Sequence, residues 1–297
     1  MNFAIKANKL SKIYDDTAVV DKISFKVENA KCIGLLGPNG AGKSTTMRMI
    51  TGTTEKNSGK LSLFNTPVQK LSIKQKSKIG LVPQDDNLDP DLTISQNLEI
   101  YGSYFALPKN IIKKRVPELL KFMKLEEKAN AQVSMLSGGM KRRLVIARSL
   151  ISDPDLVILD EPTTGLDPQA RVMIWQQLLS LKKQGKTLLL TTHYMDEAER
   201  LCDRIIIIDN GKILDEGTPK QLIKKHTKPQ VFEVNKPLPK QLKDYKEHSE
   251  DIGTSVLFYV DNPKEFQKYL DDKTIYQHRL ANLEDVFLNL TGRSLRV

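Results

Sequence analysis

The chain has 297 residues, of which 39% are hydrophobic and 28% charged, with a net charge of +10 from 46 basic against 36 acidic residues. That length and balance fit a soluble globular protein of about two domains, able to bury its own core without disulfide or metal staples. No apolar run approaches the roughly 18 residues needed to span a bilayer, the first ten residues lack the apolar stretch of a leader, and the spacing of Cys32 and Cys202 matches no zinc or redox motif.

Residues 1–30 alternate through Phe3, Ile5, Ala7, Val19, Ile23, Phe25 and Val27, which predicts an antiparallel β start with turns at Asp15-Asp16 and Asp21-Lys22. Cys32 to Leu36 is a short apolar run ending at Gly37, and a helical segment opens at Lys43. Between them, Gly37-Pro38-Asn39-Gly40-Ala41-Gly42-Lys43-Ser44 fits G-x-x-x-x-G-K-[ST]. Glycines let backbone N–H groups curl around phosphate oxygens, and the helix N-terminus adds partial positive charge. Lys43 is expected to reach the β- and γ-phosphates, Ser44 to ligate Mg²⁺, and Thr45 to add a hydroxyl at the α-phosphate.

Ile79–Val82 reads as a further strand, ended by Pro83, and residues 95–151 carry longer helical patterns such as Val116, Leu119, Leu120 and Met123. Leu136-Ser137-Gly138-Gly139-Met140 opens a helix whose first turn holds Lys141-Arg142-Arg143. Acids are preferred at that position in a plain helix, so the pattern suits an anion site; the plain alternative is a serine cap with a tight turn. Leu156–Leu159 is a buried-strand run that delivers Asp160 and Glu161 beside the phosphate loop, Asp160 toward Mg²⁺ and Glu161 toward an attacking water. Helices near 170–183 and 195–201 alternate with a strand at Thr187–Leu190, which argues for a mostly parallel sheet covered on both faces. Arg204–Ile208, Asn210-Gly211 and Lys212–Leu214 read as a hairpin. Prolines at 229, 237 and 239 mark a linker near 226–230, and a small α+β appendage follows. Residues 227–297 hold 11 basic and 11 acidic residues, so the whole positive excess lies in residues 1–226.

These motifs together, in this order, resemble the ATP-binding cassette family. The resemblance covers residues 1–225 and rests on the phosphate loop at 37–45, Gln84 after a strand, the signature Leu136–Met140 and Leu156–Glu161. It continues with the turn Gly165-Leu166-Asp167-Pro168 and His193 in Thr191-Thr192-His193. Met140 stands where the family usually has glutamine. That variant, with the tail Asn282-Leu283-Glu284-Asp285-Val286-Phe287-Leu288-Asn289-Leu290-Thr291-Gly292-Arg293, is similar to the daunorubicin-type and nodulation-type (lipo-oligosaccharide) exporter branch.

The resemblance implies an α/β fold: a P-loop NTPase cassette at 1–225 with a RecA-like, mostly parallel core, an antiparallel β subdomain and a helical subdomain at about 85–150. Residues 226–297 are then a small α+β domain. It implies ATP and Mg²⁺ as ligands, hydrolysis to ADP and phosphate, and an ATP-dependent head-to-tail homodimer. In that dimer Ser137, Gly138 and Gly139 would contact the γ-phosphate held by the partner chain, and Asp167 would pass information across the interface. Gln84 would sense Mg²⁺ or water, His193 would contact the γ-phosphate, and Tyr14 would lie against adenine. A separate multi-helix permease would dock on segment 85–135 and hold the chain at the cytoplasmic face of the inner membrane. No nucleic-acid partner is expected. The alternatives are an importer ATPase, a soluble cassette acting on ribosomes or nucleic acid, and a non-hydrolysing regulatory cassette. The stripe Leu283, Val286, Phe287 and Leu290 reads either as core of the appendage or as a dimer or regulatory contact.

Overall fold

The computed structural model describes residues 3–243, 245 and 248–292, so Arg293 of the tail motif lies outside the described residues. The chain divides into two compact units, 1–215 and 216–297, a division ahead of the linker expected near 226–230.

The first unit opens with β1 (Phe3–Tyr14) and β2 (Thr17–Glu28), joined at Asp15-Asp16, then β3 (Cys32–Leu36) and α1 (Lys43–Thr51). β4 (Ser58–Leu63), β5 (Thr66–Pro67), the short α2 (Ile73–Lys76) and β6 (Ile79–Val82) follow. Next come α3 (Ile94–Tyr104), α4 (Lys109–Phe122), α5 (Gly138–Ser149), β7 (Leu156–Asp160), α6 (Pro168–Lys183), β8 (Thr187–Thr192), α7 (Met195–Leu201), β9 (Arg204–Asp209) and β10 (Lys212–Gly217). β2-β1-β4-β5 form an antiparallel sheet, and β10-β9-β3-β8-β7-β6 form a second sheet whose pairings β9/β3, β3/β8, β8/β7 and β7/β6 are parallel. β3, β7 and β8 are buried at every position. That is why they read as continuous apolar runs rather than as alternation. Met47, Met49 and Ile50 of α1 share one core with Ile5, Phe25 and Leu63 of the antiparallel sheet and Leu35, Ile158 and Ile206 of the parallel one.

The turn expected at Asp21-Lys22 is instead a bulge inside β2. Lys22 takes φ +50 and the register with β1 slips there, from Leu10↔Ile23 to Lys12↔Val20. The Lys22 N–H, lost to the ladder, donates to Ser11 Oγ at 3.0 Å. The turn Asn210-Gly211 has positive φ at both residues, which suits the hairpin from β9 to β10.

The second unit contains α8 (Pro219–His226), β11 (Gln230–Asn235), α9 (Lys240–Lys243), β12 (Ser249–Asp251), β13 (Ser255–Val260), α10 (Pro263–Phe266), β14 (Tyr276–Leu280) and α11 (Leu283–Thr291). Its antiparallel sheet runs β12-β13-β11-β14. One face buries Phe232, Phe258 and Phe266, and the other buries Val231 and Leu257 against Leu288 of α11. α8 belongs here because it packs on α11. Of the stripe Leu283, Val286, Phe287 and Leu290, the first three are fully buried and Leu290 is half-buried.

Candidate functional site

The loop after β3 is shaped by where glycine is required. Gly42 has φ +97, and a Cβ there would meet the Val19 carbonyl oxygen at 2.5 Å; at Gly37 a Cβ would meet the Ile208 carbonyl oxygen at 2.1 Å. Either position closes the loop only with hydrogen as its side chain. Gly42 caps α1 with no side-chain acceptor, so the first N–H groups of the helix face the loop.

This loop, the end of β7 and the segments after β6 and β8 meet around a cavity of about 490 Å³, lined by Asn39, Gly40, Gly42, Lys43, Ser44, Thr45, Gln84, Glu161 and His193, with Val19 and Thr164. Lys43 is buried. Its Nζ donates to the carbonyls of Gly37 (2.8 Å) and Pro38 (3.0 Å) and lies 3.5 Å from Glu161 Oε1. Burial pushes the Lys43 ammonium pKa down, against the pull of the Glu161 carboxylate. Ser44 Oγ donates to Asp160 Oδ1 at 3.2 Å.

Glu161 is 8% exposed and sits at φ +46, a left-handed backbone that turns the chain out of β7. Its carboxylate is held by Lys43 and by Thr164 Oγ1 (3.2 Å to Oε2), and the His193 ring lies beside it with Nδ1 3.4 Å from Oε1. Thr191 fixes both acids at once: its hydroxyl accepts from the Glu161 N–H (2.9 Å) and donates to Asp160 Oδ1 (2.5 Å). Its spacing in the sequence marks it only as a neighbour of His193. Glu197 of α7 is buried and accepts from Thr163 Oγ1 (2.8 Å) and Trp175 Nε1 (2.9 Å), tying the segment after His193 to α6.

Nine sequence-predicted residues are not in the lining of this cavity: Gly37, Pro38 and Ala41 of the loop itself, Asp160 at the end of β7, and Ser137, Gly138, Gly139, Asp167 and Tyr14. Ser137, Gly138 and Gly139 begin α5, where Ser137 Oγ accepts from the Met140 N–H at 3.3 Å. A Cβ on Gly139 would meet Ala170 Cβ at 2.9 Å, so the signature borders the start of α6, which Asp167 caps by accepting from the Ala170 N–H at 2.9 Å. Tyr14 does not line the cavity; it is 42% exposed, with Lys12 Nζ 4.7 Å from its ring centre.

The expectation that Lys141-Arg142-Arg143 serves an anion needs correction for two of the three. Arg142 is buried and donates to the carbonyls of Pro83, Gln84, Asp160, Glu161 and Pro162. Arg143 donates to the carbonyls of Met123 and Lys124. Both guanidinium groups donate to main-chain acceptors, Arg143 through Nη1, in pairings across 18 or more residues that no local pattern reveals.

Lysine over a glycine loop, a serine beside a carboxylate, and a second carboxylate facing the same cavity can hold a polyphosphate and orient a water against it. Comparison with known proteins gives the family. The family model described as ABC transporter matches residues 20–164, and that of the nodulation factor export protein NodI C-terminal domain matches residues 236–292. The chain is 50% identical over 297 residues to the Nod factor export ATP-binding protein I of Burkholderia pseudomallei strain K96243, covering 98% of both chains. It is 49% identical over 302 residues to the protein of that name from Cupriavidus metallidurans, covering 100% of both. Among solved structures, cbiO1 from Clostridium perfringens, part of the ABC transporter complex cbiONQ, aligns with TM-score 0.70 at 30% identity over 76% of this chain and 92% of that one. A dimeric ATP-binding cassette in a post-hydrolysis state, bound to ADP and Pi, aligns with TM-score 0.65 at 29% identity over 72% of this chain and 98% of that one.

Proposed function

The chain belongs to the ATP-binding cassette transporter family and is an ATP-binding, ATP-hydrolysing export subunit; from that premise we propose how its residues divide the work. The observation that carries the reading is the single cavity that gathers Lys43, Ser44, Gln84, Glu161 and His193 while the signature lies elsewhere on the same unit. Such a site is half complete. A second copy, head to tail, would bring Ser137, Gly138 and Gly139 to the γ-phosphate and Asp167 to the seam. Tyr14 is assigned to the adenine ring as the resemblance implies.

The residues present fit a phosphate-bound cation. Among the described residues no three His, Cys, Asp or Glu side chains cluster as a metal cage, whereas Ser44 Oγ and Asp160 Oδ1 adjoin each other at the loop. Magnesium ions are held in this way, by one or two protein oxygens plus substrate phosphates. Ser44, Asp160 and Gln84 would hold Mg²⁺, which when bound neutralises developing charge on the phosphates. Lys43 would bind the β- and γ-phosphates, exchanging its loop carbonyls for phosphate oxygens. Glu161 would orient the attacking water and accept its proton at a carboxylate oxygen, and His193 would hold the γ-phosphate.

No helix among the described residues is long and apolar enough to cross a membrane, so work on a cargo requires a separate permease. The helical segment 85–135 is its proposed dock. Tyr104 there is 78% exposed, and the neighbouring Phe105 borders a groove of about 320 Å³ lined by both apolar and charged residues, among them Leu71, Leu81, Glu55 and Lys56. We place the chain at the cytoplasmic face of the inner membrane through that contact. The names of the relatives point to a lipo-oligosaccharide cargo of the Nod-factor class.

The test is steady-state hydrolysis by the full chain and its Glu161→Gln variant. Removing the base lowers kcat by about 100-fold or more while ATP binding persists; turnover within twofold of the unaltered protein contradicts the assignment.

A further inference from the structure

Arg142 lies five residues beyond the signature Ser137 and is 5% exposed. Its guanidinium makes five hydrogen bonds, every one to a backbone carbonyl: Nε to Pro162 (2.8 Å), Nη1 to Pro83 (2.5 Å) and Gln84 (3.2 Å), and Nη2 to Asp160 (2.9 Å) and Glu161 (3.1 Å). Arginine has five N–H donors in a fixed planar fork, so the fork is fully spent. The nearest carboxylate is that of Asp86, 3.8 Å from Nη1. Removing a guanidinium from water is costly, and an apolar side chain of similar volume would fill the same space without that cost. Packing alone therefore does not account for the residue.

The acceptors do. Pro83 and Gln84 form the segment that brings Gln84 to the cavity, and Asp160, Glu161 and Pro162 form the turn that brings Glu161 there. Glu161 holds a backbone that non-glycine residues rarely adopt, and the bonds from Arg142 flank it on both sides. Arg142 itself belongs to α5, the helix that begins with Ser137, Gly138 and Gly139.

We propose that Arg142 is a positioning residue that locks the Gln84 segment and the Glu161 turn to α5, so that the hydrolytic groups of one site move with the signature that serves the other. ATP captured by the signature end of α5 then sets Gln84 and Glu161 in the chain's own site, and the two sites of a pair are linked through a single guanidinium. The inference rests on the roles given above to Glu161 and Gln84.

The experiment compares the full-length chain with Arg142→Lys, Arg142→Gln, Gln84→Ala, Glu161→Gln and the double variant Arg142→Lys/Gln84→Ala. It reads kcat, ATP affinity and bound ATP per chain. A lysine keeps the charge but cannot span five carbonyls. We expect both Arg142 variants to lose about tenfold or more in kcat, since a displacement of about 1 Å at a reacting group costs that and more. ATP affinity stays within about threefold and stoichiometry is retained. The double variant loses less than the product of the single losses, because the two residues act through one segment. Turnover within twofold in both Arg142 variants overturns the proposal. So does a loss in rate that only tracks a loss in bound ATP, which reports unfolding, and so does strict multiplicativity in the double variant. Undiminished turnover in Glu161→Gln would instead remove the catalytic reading beneath it.

Discussion

Glu161 answers to two partners at once, the Lys43 ammonium and the Thr164 hydroxyl, with the His193 ring beside it. Such a group is fixed in direction before any substrate arrives, which is what orienting a water demands. Glu197 is fixed for a different end. It is buried, and desolvation raises its pKa above the usual 4.5 despite hydrogen bonds from Thr163 and Trp175. A carboxyl whose folded pKa is raised binds more protons folded than unfolded. Its contribution to stability is therefore full below about 4.5 and is lost as pH rises through the folded value. The expected result is that the melting temperature of the unaltered chain drops more between pH 5 and pH 8 than that of Glu197→Gln. Parallel curves from differential scanning calorimetry would contradict it.

At the scale of elements, one ion pair joins β14 to α11 in the second unit. Asp285, 1% exposed in α11, receives both Nη1 and Nη2 of Arg279 on β14 at 2.7 and 2.8 Å, the Asn282 N–H at 2.8 Å and the Tyr259 hydroxyl at 3.3 Å. Asp285→Ala strands all three donors. Breaking a fully buried pair costs about 3–5 kcal/mol; because Arg279 is 26% exposed, the expected loss is about 2–3 kcal/mol. Denaturant unfolding of the full chain reads it, and an unchanged midpoint contradicts it. The same element shows how much the sequence discloses. The capping box Asn282–Asp285 and the stripe through Val286 are local and legible, but the Arg279 partner comes from a strand whose exposed face carries no apolar alternation. The phosphate loop and the acids after β7 were legible for the same local reason, since phosphate binding dictates glycine, lysine and serine at fixed spacing. Arg142 was not, because its acceptors are main-chain atoms 18 to 59 residues away and main-chain acceptors leave no trace in side-chain pattern. The bulge at Asp21-Lys22 is not legible, because a polar pair between apolar residues suits a turn and a bulge alike.

For the whole molecule, the central claim is that one chain holds only half of each hydrolytic site. The cavity supplies the phosphate loop, Gln84, Glu161 and His193, while Ser137 and Gly138 lie at the start of α5, outside it. On that claim ATP would serve as part of an interface between copies, and stalled hydrolysis should trap the pair. The most direct measurement is the solution mass of the Glu161→Gln chain by light scattering with and without saturating MgATP. The expected result is a shift from the 33.6 kDa monomer to a species of about 67 kDa that appears only with the nucleotide. A chain that stays monomeric while saturated with ATP would contradict the composite site.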